Sequence, residues 1–450
     1  MVPRNALRVA LIGLGTAVAP LDTAVNIAFP AITPAFDLPV AMIQWVVICY
    51  VLTYGSLMLA LGRVGDLFGY ATVFRLGLAW STLALLLCAS ATEFGWLLAC
   101  RALQGVGAAL VLSCGPALVT SLFPETRRAR VLGIYIMMSA IAAALGPSLG
   151  GFLVARWGWP AVFWFRAPIA LAALVLLRGL PARQAAARAP FDLVGAALFA
   201  LTVATALLAI NRARLLPDGD WSAVGLAVIA AISLAGFIRR ELSFAQPILN
   251  LRVFRVVDFS LVNLASALLY LANFAVLLLV PYFLARLPDL TTPMAGLLLA
   301  VNPAGMIGAA PLGGWLASRF SPYRVALFGA LLAAGVLRLI GSWDSAPAWW
   351  WIALTLFAQG FGVGLFQVAY TDVVAGALPR ADRGVAGSLT MVTRTLGVIA
   401  SATVLSLVFQ AIESASGSFM AGFQGAFHLA ATIATLAVFG LLRGARHSRR

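Results

Sequence analysis

The chain has 450 residues, of which 62% are hydrophobic and only 10% charged, with a formal net charge of +15. A soluble globular domain carries about 25% charged residues, so the composition excludes one and points to a protein lying in a lipid bilayer. Every Lys-or-Arg position is Arg, dispersed among apolar runs rather than clustered on one face, which excludes a nucleic-acid footprint and leaves no lysine for Schiff-base chemistry.

A helix needs about 20 apolar residues to cross a ~30 Å hydrocarbon core. Fourteen such runs follow one another, at 8–30, 41–61, 71–90, 95–122, 129–154, 161–178, 191–210, 222–238, 258–284, 294–317, 322–342, 348–378, 384–411 and 421–442. Short loops join them and leave no room for a soluble domain. The first run is too long for a signal-peptide core and reads as an uncleaved helix. Within it lies Asp22, in the stretch from Ala19 to Pro30. A carboxylate facing lipid costs a few kcal/mol or more, so Asp22 faces a protein interior or a wet cavity.

Between the second and third runs stands Gly62-Arg63-Val64-Gly65-Asp66-Leu67-Phe68-Gly69. Its glycines permit a tight turn, and Asp66 can satisfy backbone N–H groups at a helix start. The fourth run holds Arg101-Ala102-Leu103-Gln104-Gly105-Val106-Gly107-Ala108-Ala109. A guanidinium this far inside needs a partner, unless it snorkels to the outer interface; the small residues let another helix come close. In the fifth run, Gly146-Pro147-Ser148-Leu149-Gly150-Gly151 lacks one helix hydrogen bond at the proline, and its glycines allow bending or close packing. The sixth run opens on Trp159-Pro160 and carries Arg166.

An internal repeat is visible. Gln104-Gly105-Val106-Gly107 in the fourth run returns as Gln359-Gly360-Phe361-Gly362 in the twelfth, and Gly62-x-x-x-Asp66 returns as Gly314-x-x-x-Ser318 at nearly the same separation. Two six-helix halves flanking an inserted pair fit this pattern, with the site expected where the halves meet. The expected organisation is therefore a first bundle at 1–190, an inserted helix pair and linker at 191–257, and a second bundle at 258–450. Most Arg lie on the side of the N-terminus; the opposite loops hold only Arg156, Arg212, Arg214 and Arg286. This bias puts both termini in the cytoplasm.

Depth can be counted at about 1.5 Å per residue. Asp22 comes out roughly 21 Å above the cytoplasmic face, and Arg101 roughly 9 Å below the outer one, in the outer third of a ~30 Å core. Gly146, Pro147 and Arg166 fall at similar depth. Azimuth is not fixed by counting, so an Asp22–Arg101 pair and an Asp22–Arg166 pair stand as alternatives.

The loop with Gly62, Asp66 and Gly69 resembles the signature Gly-x-x-x-Asp-x-x-Gly of the major facilitator superfamily. The Arg101–Ala109 stretch resembles that superfamily's fourth-helix motif, and Gly146, Pro147, Gly150 and Gly151 its antiporter motif, with Ala142 in place of one family glycine. Leu21-Asp22-Thr23-Ala24-Val25-Asn26 is similar to the first-helix signature of the 14-helix drug:proton antiporters, one residue shorter between Asp and Asn. Trp159–Pro168, Phe191–Gly195 and Pro247–Arg255 also resemble that branch, with Arg166 where Asn is usual. The resemblance implies an all-α membrane fold of two six-helix bundles plus two inserted helices. It further implies a monomer in a bacterial inner membrane, moving small molecules at the expense of a proton gradient and without a cofactor. Asp66 would latch near Asp382-Arg383-Gly384 when the cytoplasmic side closes.

Asp22 with Arg101 is then the expected proton switch. An Arg that leaves during the conformational cycle lets the carboxyl take up a proton, and its return expels the proton. The bland alternative is an Asp that merely neutralises an Arg. Asn26, Trp45, Tyr50, Tyr54, Arg166, Tyr270, Asn273, Asn302, Gln367 and Arg394 are the candidate lining of a mixed cavity, though such side chains also serve as packing or interface anchors. One interior acid against Arg101, Arg166, Arg338 and Arg394 argues against dicationic cargo and suits neutral, anionic or monocationic amphipathic compounds. The leading expectation is proton-coupled efflux; uptake by a symporter or facilitator of the same fold is the second. A membrane-embedded enzyme is the third, and no cluster of acids, His or metal ligands supports it; Cys49, Cys88, Cys100 and Cys114 lack metal-ligand spacing and read as small buried hydrophobes.

Overall fold

The structure, a computed structural model, describes residues 3–123, 125–179, 192–212, 219–244, 254, 257–376 and 383–447. All regular structure among them is helical. The first crossing is α1 (Pro3–Ala17), a 3-10 turn (Pro20–Thr23) and α2 (Ala24–Ala35); the next four are α3 (Gln44–Phe68), α4 (Tyr70–Ala89), α5 (Phe94–Ser121) and α6 (Glu125–Trp157). The sixth is split into α7 (Ala161–Trp164) and α8 (Arg166–Leu176), and α9 (Leu193–Arg212) and α10 (Ser222–Ser243) follow. Then come α11 (Val257–Leu284), α12 (Thr292–Arg319), α13 (Pro322–Ile340), α14 (Trp349–Gly376), α15 (Arg383–Ser416) and α16 (Phe419–His447).

Among the described residues, eleven helical stretches are long and apolar enough to cross a membrane, and three shorter apolar ones within α3, α9 and α15 complete fourteen. Each apolar run of the sequence is thus one crossing. The helices leave large apolar side chains such as Leu83, Phe152, Ile232, Phe328 and Phe439 exposed, as a lipid-facing surface requires.

Two crossings differ from the unbroken helices that hydropathy suggests. In the first, Pro20 has no N–H to donate, and the chain tightens into the 3-10 turn that carries Asp22. In the sixth, Pro168, the third residue of α8, has no N–H for the carbonyl four residues back, and the helix is interrupted at Phe165.

Contacts cluster the chain into two units: Met1–Leu38, Trp45–Ala200 and Thr292–Leu297 in one, Pro39–Gln44, Leu201–Thr291 and Leu298–Arg450 in the other. In the first, α4 packs along α5 and against α7 and α8, while α6 packs along both halves of the first crossing. In the second, α13 packs along α14 and against α16, while α15 packs along α11. The same neighbour pattern occurs twice, and the repeated Gln-Gly-x-Gly underlies its α4–α5 and α13–α14 contacts. A Cβ on Gly105 would meet the Tyr50 carbonyl oxygen of α3 at 2.8 Å, and one on Gly360 would overlap the Asn302 carbonyl of α12. A Cβ on Gly107 would overlap Ser81 Oγ of α4, and one on Gly362 would meet Ala333 N of α13 at 2.9 Å. Each copy of the motif lets two neighbouring helices touch its backbone.

Gly69, at φ +87°, makes the turn from α3 to α4 that a side chain would disfavour. Gly62 and Asp66 lie on α3, but their side chains are outside the described residues, as are the side chains of Arg383 and Gly384 and all of Asp382. Phe191 and Pro247–Val253 are likewise outside them.

Overpacking a tight contact costs about 1–3 kcal/mol. Gly360→Ala should lower the midpoint of thermal unfolding in detergent, whereas Gly314→Ala, at a position open on all sides, should leave it unchanged or raise it. Scanning fluorimetry of the two variants checks this.

Candidate functional site

The turn at Pro20 places Asp22 beside α5 and α8. Arg101 of α5 donates from Nη1 to Asp22 Oδ1 at 2.7 Å and from Nη2 to Oδ2 at 2.8 Å, the two-pronged geometry that guanidinium and carboxylate share. Its Nε donates to the Val46 carbonyl at 2.8 Å, and Nη1 also to Gln104 Oε1 at 2.6 Å. Gln104, one helical turn further along α5, donates from Nε2 to Asp22 Oδ1 at 3.0 Å. The Tyr50 ring centroid lies 4.3 Å from Arg101 Cζ, close enough for cation–π attraction.

Arg166, the first residue of α8, reaches the same carboxylate: Nη1 donates to Asp22 Oδ1 at 2.7 Å, while Nε donates to the Val162 carbonyl at 2.9 Å. The side chains of Arg101 and Arg166 are 1% and 0% exposed and that of Asp22 14%. One negative charge therefore faces two positive ones in a nearly dry setting. Removing one partner of a buried pair costs about 3–5 kcal/mol because the other is left uncompensated, so this cage holds its members firmly. A cavity of about 10 Å³, lined by Ala19, Tyr50, Ser81 and Gln104 among others, adjoins it.

The fifth crossing is tied to the same turn. Pro147 cannot donate to the carbonyl of Ala143 four residues back. Thr23, next to Asp22, fills the gap, its hydroxyl donating to that carbonyl at 2.9 Å. A Cβ on Gly146 would overlap Thr23 Oγ1, and one on Gly150 would meet the Ala24 carbonyl oxygen at 2.9 Å. These glycines are what lets α6 lie against the broken first crossing. Gly151 packs against Thr292 and Gly296, in the part of α12 that clusters with the first unit.

The second unit contains a neutral counterpart. Gln359, the repeat of Gln104, donates from Nε2 to Asn273 Oδ1 of α11 at 3.2 Å. Leu356 occupies the position matching Arg101, and Gln359 Oε1 is buried without a partner.

The sequence profile described as Major Facilitator Superfamily matches residues 11–289 and 262–450. The chain belongs to the Major Facilitator Superfamily. It is 28% identical over 404 residues to the riboflavin transporter RibZ of Clostridioides difficile (strain 630), covering 89% of this chain and 87% of that one. It is 31% identical over 411 residues to the multidrug resistance protein Stp of Mycobacterium tuberculosis (strain CDC 1551 / Oshkosh), covering 90% of this chain and 76% of that one. The solved structure of peptide transporter POT in complex with sulfate is similar at a TM-score of 0.72 and 16% identity, over 98% of this chain and 94% of that one. That likeness is one of fold.

Within this facilitator fold the remaining candidates separate by unit. Asn26 is buried one turn beyond Asp22, and the rings of Tyr50 and half-buried Tyr54 meet at a tilt on α3, their centroids 5.2 Å apart, with Trp45 half-buried at its start. In the second unit Tyr270 donates its hydroxyl to Gln367 Oε1, and the exposed Arg394 lies with Cζ 5.3 Å from the Tyr270 ring centroid. Asn302 is engaged in helix packing, donating to the Leu356 carbonyl at 3.2 Å. The two pairings left open for Asp22 occur together. Gln104 and Thr23 were not among the expected site residues. The signals for them were Gln104's place one turn from Arg101, and the orphan carbonyl that any helix-interior proline leaves four residues back.

Thr23→Val keeps the shape and deletes the hydroxyl, leaving the Ala143 carbonyl unpaired at a cost of about 1–3 kcal/mol. It should lower the unfolding midpoint in detergent and slow transport, while Thr23→Ser should restore both; scanning fluorimetry and vesicle flux measure the pair.

Proposed function

We propose that this facilitator is a proton-coupled antiporter exporting small amphipathic compounds by alternating access, as a monomer in a bacterial inner membrane with both termini cytoplasmic. The observation that carries the reading is the Asp22 carboxylate, held at a helix interruption by two buried guanidinium groups. An interior carboxylate on such a pathway is the usual kind of proton carrier. While both Arg remain in place a proton is kept off Asp22; once the cage opens the proton can enter, and closure expels it. The link from Thr23 to the Pro147 region of α6 supports a hinge coupled to that cycle, and the likeness to a multidrug resistance protein supports export. The Arg bias across the loops supports the orientation.

Carriage of a metabolite is the second reading, favoured by the likeness to a riboflavin transporter. The direction of proton-driven flux separates the two.

In proteoliposomes, Asp22→Asn should abolish uphill transport driven by a pH gradient. It should retain exchange of labelled for unlabelled compound without a gradient, which also shows the variant to be folded. Asp22→Glu should retain part of the uphill flux. Uphill transport by Asp22→Asn at the unsubstituted rate would remove Asp22 from the coupling step.

A further inference from the structure

We propose that the cargo of this carrier bears an anionic group, a carboxylate or an oxyanion of similar size, and that this group binds at the Nη2 edge of Arg166. The proposal takes the proton-coupled carrier reading as given and adds the charge class of what is carried.

Three observations lead to it. Asp22 supplies one negative charge against the two positive charges of Arg101 and Arg166, and among the described residues no other acid is paired with either guanidinium. Arg166 is fully buried, yet its Nη2 has no hydrogen-bond partner; buried N–H groups are nearly always paired. The neighbouring aromatic group, the Phe163 ring centred 5.7 Å from Arg166 Cζ, offers a π-face but no carboxylate. The cage is thus one negative charge and one acceptor short, at one identifiable atom.

A cationic compound would add to the excess charge, and a neutral one would leave it. An oxyanion balances the charge and accepts from the free N–H groups, in the planar geometry that suits guanidinium and carboxylate. No covalent bond forms or breaks.

The test is binding of aromatic carboxylates, each paired with its own primary amide (1-naphthoate with 1-naphthamide, for instance), to the purified full chain in detergent, read by thermal stabilisation. The expected result is a preference of about tenfold or more for carboxylate over amide. Arg166→Gln should remove the preference, and Arg166→Lys, a point charge without the planar fork, should keep a reduced one. If Arg166→Gln does not fold, the acid–amide comparison on the unsubstituted protein and on Arg166→Lys still decides. No carboxylate favoured over its amide, or a preference undiminished in Arg166→Gln, overturns the proposal. So does an equal response to phosphate or chloride, which would assign the edge to a small inorganic anion.

Flux in proteoliposomes separates this inference from the reading beneath it. Amides moved by a pH gradient while carboxylates are not would leave the antiporter standing and sink the anion site. An Arg166-dependent carboxylate preference with no pH-driven flux would leave the site standing and sink the antiporter.

Discussion

A carboxylate surrounded by apolar helices must be compensated where it stands, and much of the first unit is arranged around that requirement. Desolvating an ion costs several kcal/mol even after relaxation, and the short bonds from Arg101, Arg166 and Gln104 to Asp22 offset it. Those donors arrive from two different helices. Arg101 is supplied from the first third of α5, anchored through Nε on the Val46 carbonyl. Arg166 comes from the start of α8, where the sixth crossing is broken. Asp22 itself sits in a 3-10 turn, so the three charges meet only because two helices are interrupted at the right level.

The repeat shows what is scaffold and what is chemistry. Gly105 and Gly107 in one unit, and Gly360 and Gly362 in the other, perform the same backbone packing. The glutamines that precede them each bond to the first helix of their own six-helix set, Gln104 to Asp22 and Gln359 to Asn273. Charge is present at only one copy: Asn273 is the acceptor for Gln359 as Asp22 is for Gln104, and Leu356 stands at the position matching Arg101. A neutral amide pair stands without a counter-ion, so the second unit retains the packing without the electrostatic demand.

The fourteen crossings were legible because each must present roughly twenty apolar residues to lipid, and no other constraint writes so clearly in a sequence. Asp22 was legible for the inverse reason, as a charge where none is cheap. Both arginine partners could be named from depth alone. That they act together could not, because position around a helix axis depends on packing, and the sequence showed a helix where the chain is in fact interrupted. The partners of the amides were not legible: Asn302 and Asn273 have the composition of a cavity lining, and the first donates to the Leu356 carbonyl while the second accepts from Gln359. Whether a membrane amide serves packing or cargo is decided by its neighbours across the helix contact, which no local pattern records.

The link between Thr23 and α6 gives the antiporter-like motif a concrete mechanical content. A proline in a membrane helix is usually described as a source of flexibility, but here its unpaired carbonyl has a specific partner, and that partner is the residue next to Asp22. Gly146 and Gly150 keep the two backbones in contact above and below. A change in the bend of α6 at Pro147 must therefore either carry the Thr23 turn with it or break this bond. If it carries the turn, the carboxylate shifts relative to two arginines fixed on other helices. The bend and the integrity of the cage are then two variables of one equilibrium, and whatever stabilises one arrangement at Asp22 biases α6 by the same free energy.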